Sequence, residues 1–183
     1  MAVLRHLLRL LAGPMVAGLL AGVVAAEQVD ERDVKAAFLF NFTRFVEWPA
    51  SAAEDSGPFH LCVLSDSTTA EAIERTMKGE VVNGRPVQTV VPRSPEDARR
   101  CQILFVGHSE MDRAAPLLAA VRDLPILTVG EGEQFVSRGG TIQFVREGGR
   151  VRFDVDVHGA KRVGLTISSR LLRVARHISE PRG

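Results

Sequence analysis

The stretch KAAFLFNFTRFVEWP, from Lys35 to Pro49, holds four of the nine Phe and the only Trp of a 183-residue chain. Phe38, Phe42 and Phe45 recur at three- and four-residue spacing, with Val34 one turn earlier. That is the period of one helix face. Phe40 and Trp48 widen the stripe beyond half the circumference, and Lys35, Asn41, Arg44 and Glu47 hold the rest. Asp30 or Asp33 can cap the helix near Val34. Pro49 should end it, because the residue before a proline avoids the helical region. A helix this apolar is normally buried. The expectation is a core helix on which a small domain is built.

What precedes the stretch sets the compartment. Arg5, His6 and Arg9 are followed by an apolar run from Leu10 to Val24, broken by glycines and Pro14, and then by Val24-Ala25-Ala26. This reads as a secretory signal cleaved after residue 26. Residues 27–183 then form a single domain of ordinary length outside the cytoplasm. The formal charge of the whole chain is +1; loss of Arg5 and Arg9 brings it to −1. Such a balance gives no footprint for nucleic acid.

Cys62 and Cys101 are the only cysteines. In an oxidising compartment an even pair is read first as a disulfide. A bridge closing a loop of about 40 residues is worth about 4 kcal/mol in the chain-entropy account. There is no C-x-x-C motif for redox catalysis.

Downstream, FHLCVLSD (59–66), VQTVVP (87–92), CQILFVG (101–107) and PILTVG (125–130) read as strands. Helices are expected from Thr68 or Thr69 to Met77 and from Met111 to Val121, with a capped helical turn in SPEDARR (94–100). Strands alternating with helices, two of them nearly continuous apolar runs, predict an α/β domain with a mixed, largely parallel sheet flanked by helices. The last third predicts a β-hairpin around Glu147-Gly148-Gly149. A short helix, a break near Gly164 and a C-terminal helix should follow.

Several constellations bear on chemistry. Asp154, Asp156 and His158 fall on one face of a predicted strand, a spacing that can bind a metal, but a strand with apolar side chains inward and polar ones outward accounts for them without one. GHSEM (107–111) has the setting of a nucleophile elbow but lacks its second glycine. Glu131 and Glu133 suit a loop or helix start. No dinucleotide or P-loop fingerprint occurs. The predicted C-terminal helix carries Ile167, Leu171, Val174 and Ile178 on one stripe and Arg170, Arg173 and His177 on another. That basic face suits a docking partner or an anionic surface.

VKAAFLFNFTRFVEWP after a signal peptide resembles the YfiR family of periplasmic proteins. LCVLSD, RCQILFVG, ILTVGEGEQFVSRGGTIQFVREGGRVRFDVDV and GLTISSRLLRVAR continue the resemblance in order. It implies a compact α/β domain that acts by binding, without catalysis or cofactor. It further implies repression of an inner-membrane diguanylate cyclase, or another sensor protein, through the periplasmic domain. An outer-membrane lipoprotein that sequesters the repressor, a tendency to homodimerise, and a stabilising Cys62–Cys101 bridge are implied as well. Some members carry a second cysteine pair around the region of Gln143; this chain has none. The partner-binding expectation rests on Asp154, Asp156, His158, Arg170, Arg173 and His177. The alternative expectation is a soluble periplasmic receptor for a small ligand.

Overall fold

The computed structural model describes residues 30–53 and 57–179. The expected signal segment lies outside them. The opening stretch forms α1 (Glu31–Phe45). Asp30 caps it, its side chain accepting from the Arg32 amide at 2.9 Å. The helix stops before Pro49. Val46–Glu47 (β1) instead pairs antiparallel with Thr166–Ile167 (β9). A β-branched residue at 46 and a partner strand from the far end of the chain override the helical period. Trp48 thus lies outside the helix, donating from Nε1 to the Gln102 carbonyl at 3.2 Å and meeting Phe59 edge-on at 5.2 Å.

The remaining elements are α2 (Ala50–Ala53), β2 (Phe59–Leu64), α3 (Ser67–Met77), β3 (Val81–Val82), β4 (Arg85–Val90), α4 (Pro95–Ala98), β5 (Ile103–Val106), α5 (Met111–Val121), β6 (Leu127–Gly130), β7 (Ile142–Glu147), β8 (Arg150–Asp156), α6 (Val157–Arg162), α7 (Ser169–Leu172) and β10 (His177–Ser179). Eight strands form one sheet in the order β10-β8-β7-β6-β5-β2-β4-β3. Pairing is parallel except in the β7–β8 hairpin and the short β3–β4 pair. The hairpin turns on Gly148 and Gly149, with φ of 57° and 74°. Two successive left-handed residues match the twist of the flanking strands, and glycine adopts them without steric cost.

Alternation along the strands splits the core. Leu61, Val63, Ile103, Phe105, Leu127, Val129, Ile142, Phe153 and Val155 face α1, α3 and α7. Cys62, Leu64, Leu104 and Val106 face α4 and α5. Phe42 is fully buried and meets Phe144 at 5.9 Å and Phe153 edge-on at 5.3 Å. Phe38 adds an edge contact to Phe153 at 5.2 Å, and Phe105 reaches Phe144 at 6.2 Å. The aromatic stretch is therefore a core helix seated on phenylalanines of β5, β7 and β8. On the opposite face the Cys62–Cys101 disulfide, with Cα atoms 5.8 Å apart, ties β2 to the entry of β5.

The C-terminal region departs from its sequence pattern. The predicted C-terminal helix is only the four residues of α7, and the chain then returns as β10, parallel to β8. Leu171 is buried as expected, but Val174 is 54 % exposed. The predicted strand through His158 ends at Asp156, and His158 lies in α6.

Two outcomes follow. Phe42→Ala removes a fully buried ring and should cost about 3–5 kcal/mol in denaturant melts; a loss under about 1 kcal/mol would contradict a core role. Asp66 caps α3 and accepts from the Thr68 hydroxyl at 2.6 Å, the Thr69 amide at 3.0 Å and the Thr69 hydroxyl at 2.8 Å. Those bonds, the Thr68 hydroxyl foremost, hold its carboxyl at about 2, against an ordinary 3.8. A depressed carboxylate stabilises the fold above its unfolded value and ceases to do so as the pH falls through its folded value. The stability gap between the protein and Asp66→Asn should thus be constant near neutrality and close between pH 3.8 and about 2. Chemical denaturation across that range measures it.

Candidate functional site

Strand β2 sits between β4 and β5, so the chain leaves it to one side and returns on the other. Open α/β sheets bind ligands outside the carboxyl ends of their strands near such a reversal. At that edge a groove of about 680 Å³ is bordered by Lys35, His108, Glu131, Gln143, Arg146 and Arg176 among others. The start of α1 supplies its floor charge. Lys35 Nζ lies 2.7 Å from Glu31 Oε1, one turn back, and 2.9 Å from Glu131 Oε1, just past β6. Arg146 at the end of β7 reaches Glu31 Oε2 at 3.3 Å. Burial by itself lowers the Lys35 pKa, but the hydrogen bonds and charges of the two glutamates outweigh it, and the net shift is upward. The ion pairs therefore hold through neutral pH and weaken only as the pH climbs past the ordinary lysine value of 10.5.

The same edge holds the residues of the nucleophile-elbow candidate. His108 Nδ1 lies 3.0 Å from the Glu131 carbonyl, which can only accept, so the ring donates there. His108, Ser109 and Glu110 form a 3-10 turn, and Glu110 is held by Arg113 at 2.6 Å. No hydrogen bond joins Ser109 to His108 among the described residues. Glu131 is occupied by Lys35, while Glu133 is exposed.

The predicted partner-binding residues have divided duties. Asp154 is 8 % exposed and accepts a fork from Arg176, Nε to Oδ1 at 2.8 Å and Nη2 to Oδ2. Arg176 also stands 3.8 Å from Glu147 Oε1. The Asp154 bond above all raises the Arg176 pKa. It clamps the connection into β10 onto β8, which is consequently not an edge strand. Asp156 caps α6, accepting from the Gly159 amide at 3.0 Å. His158, Arg170, Arg173 and His177 are exposed on α6, on α7 and its C-cap, and on β10. Sequence reasoning missed Arg176 and the Lys35–Glu131 pair. The signal for the second was a lysine four residues after Glu31 in an otherwise aromatic helix. No local signal marked Glu131 as its partner.

A family model described as YfiR/HmsC-like matches residues 32–176, from the first turn of α1 to the arginine of the Asp154 fork. The chain belongs to the YfiR/HmsC-like family. Its members are periplasmic regulators rather than enzymes. No protein of curated function matches the sequence significantly. Among solved structures the fold is similar to a conserved domain protein from Vibrio cholerae O1 biovar El Tor, with TM-score 0.55 and 10 % identity. It is also similar to an ABC domain from Streptococcus pneumoniae in complex with L-Trp, with TM-score 0.56 and 10 % identity. In each case 81 % of this chain is covered, and the chain spans 60 % of the other protein's length. At that identity the likeness is one of fold. No described helix is long and apolar enough to cross a membrane.

Lys35→Met should leave Glu131 a mostly enclosed carboxylate without its nearest cation and cost about 1–3 kcal/mol. Adding Glu131→Gln to that variant should recover part of the loss. Urea melts of the two single variants and the double variant measure the coupling.

Proposed function

We propose that the protein is a periplasmic regulator of cyclic di-GMP signalling. In this reading it represses a membrane-bound diguanylate cyclase by binding the cyclase's periplasmic sensor domain. The observation that carries the proposal is the family match, which runs through almost every described element. Repression needs only a higher affinity for the inactive conformation of the sensor than for the active one. The docking surface in this reading is the exposed set His158, Arg170, Arg173 and His177. Asp154 and Asp156 supply its framework by fixing β10 and α6. A surface rich in unburied cations would be drawn to an acidic patch on the sensor and would act mainly on the rate of encounter.

A second reading, a soluble receptor for a small ligand, is favoured by the fold shared with the pneumococcal protein in complex with L-Trp. The groove at the carboxyl edge would house the ligand, as open α/β sheets do elsewhere. A saturable rise in melting temperature with L-Trp, absent with D-Trp, would support it.

The deciding experiment is capture of the tagged protein after cross-linking in its own envelope, paired with cyclic di-GMP measurement. Recovery of an inner-membrane cyclase, with cyclic di-GMP rising when the regulator is deleted, is the expected result. Arg170→Glu with Arg173→Glu should weaken capture by about tenfold or more and shift cyclic di-GMP toward the deletion level. Recovery of a cyclase whose output ignores the regulator would overturn repression.

A further inference from the structure

A second groove, of about 450 Å³, lies on the other face of the sheet, away from the carboxyl-edge groove. It runs between α5, the segment leading into β7, and α6. Met111, Ala115, Leu118, Ala119 and Arg122 line it from one end of α5 to just beyond the other. Eleven helical residues span about 16 Å at 1.5 Å each, so the groove extends the length of that helix. Its volume falls within the range of about 300–1,000 Å³ typical of small-molecule sites.

The floor is apolar by construction. The Phe135 ring is 2 % exposed and lies against Gly130 and Gly140. A Cβ at either glycine would fall 2.2–2.4 Å from the ring, so only glycine leaves room for it. Leu124 and Ile126 extend the floor. Its one hydroxyl pair, Thr128 and Thr141, is satisfied internally at 3.2 Å.

The rim supplies the sign of the ligand. The lining contains three arginines, Arg122, Arg138 and Arg162, and no carboxylate. No hydrogen bond or ion pair is formed by these three side chains among the described residues. The topology gathers them at one end. Helix α5 runs against the parallel strands, so Arg122 falls where β6 begins. Arg138 precedes the start of β7. Strand β8 returns antiparallel to β7, so α6 and Arg162 follow at that same end. Two other large grooves among the described residues carry glutamate in their linings.

We propose that this groove binds a single-chain amphiphilic anion. The acyl chain lies along α5 toward Met111, and the carboxylate or phosphate head meets Arg122, Arg138 and Arg162. Unpaired guanidinium groups suit either head, since both accept in the fork geometry of arginine. An elongated apolar trough with cations gathered at one end matches a chain with one charged terminus better than a compact ring.

Calorimetric titration of the full folded protein with decanoate, below its micelle concentration, tests this, with decyl phosphate, decanol and acetate as comparison probes. One saturable site for decanoate or decyl phosphate is expected, with decanol and acetate at least tenfold weaker. Decanoate over decyl phosphate, or the reverse, identifies the head. The triple variant Arg122→Gln, Arg138→Gln, Arg162→Gln should weaken binding at least tenfold while keeping the fold, because all three side chains are exposed. Ala119→Leu should narrow the trough and weaken binding independently. The proposal is overturned if binding is unsaturable, if decanol binds as well, or if either variant leaves affinity unchanged. It is overturned equally if a short polyglutamate peptide binds the groove while decanoate does not. None of these readouts involves cyclase activity, so their failure and that of the repressor reading are distinguishable.

Discussion

The packing of α1 onto the phenylalanines of the sheet is the contact from which the rest of the structure takes its form. Phe38 and Phe42 project from a helix that belongs to no strand-helix-strand unit, and they land on Phe144 and Phe153 of a hairpin more than a hundred residues later. Edge-on and offset ring pairs add about 0.5–1.5 kcal/mol each to the burial of their area. They also define direction. With the rings seated, Lys35 comes to lie at the carboxyl edge beside Glu131, and Phe45 at the opposite edge, where its carbonyl accepts from Ser168. One helix thus spans the sheet, with an ion pair at one rim and a backbone hydrogen bond at the other.

The two faces of the sheet then differ in kind. The α1 face is aromatic and held by distant parts of the chain. The α5 face carries the disulfide between β2 and the entry of the adjacent β5, and leaves a trough beyond Phe135. Partner recognition by α6, α7 and β10 and amphiphile binding along α5 would meet at α6, which borders both surfaces. A ligand shifting α6 would therefore bear on the docking surface through its differential affinity for two arrangements, and by no other route.

Much of this architecture was legible from local pattern. The buried strands β5 and β6 read as apolar runs, α5 has the bounds its period suggests, and Gly148-Gly149 announced the hairpin. What failed were segments whose structure is decided by remote partners. The residues SRLLRVARHI have helical spacing, yet only four of them are in α7. Arg176 is drawn into the Asp154 fork, and the backbone beyond it gains ladder bonds to β8 that a solvent-exposed helix would not match. The end of α1 was misjudged for the same reason: Val46–Glu47 pairs with Thr166–Ile167, which no window of twenty residues contains. At the candidate site, Asp154 and Asp156 read as a wet strand face because their partners, the Arg176 side chain and the Gly159 amide, belong to structure not yet assigned. The resemblance in the motifs located the family, but the internal duties of these carboxylates became visible only with the fold.

The adjacency of α1 to β8 and α7 has a kinetic meaning. The first helix of the fold cannot bury its aromatic face until the hairpin and the residues after it exist. Intervening strands can pair earlier, but with that face of the sheet covered only in part, by α3. Closing so long a loop comes late and slowly. A chain emerging vectorially from its amino end would thus remain loosely assembled, and open to a threading machine or a chaperone, until almost its whole length had been made.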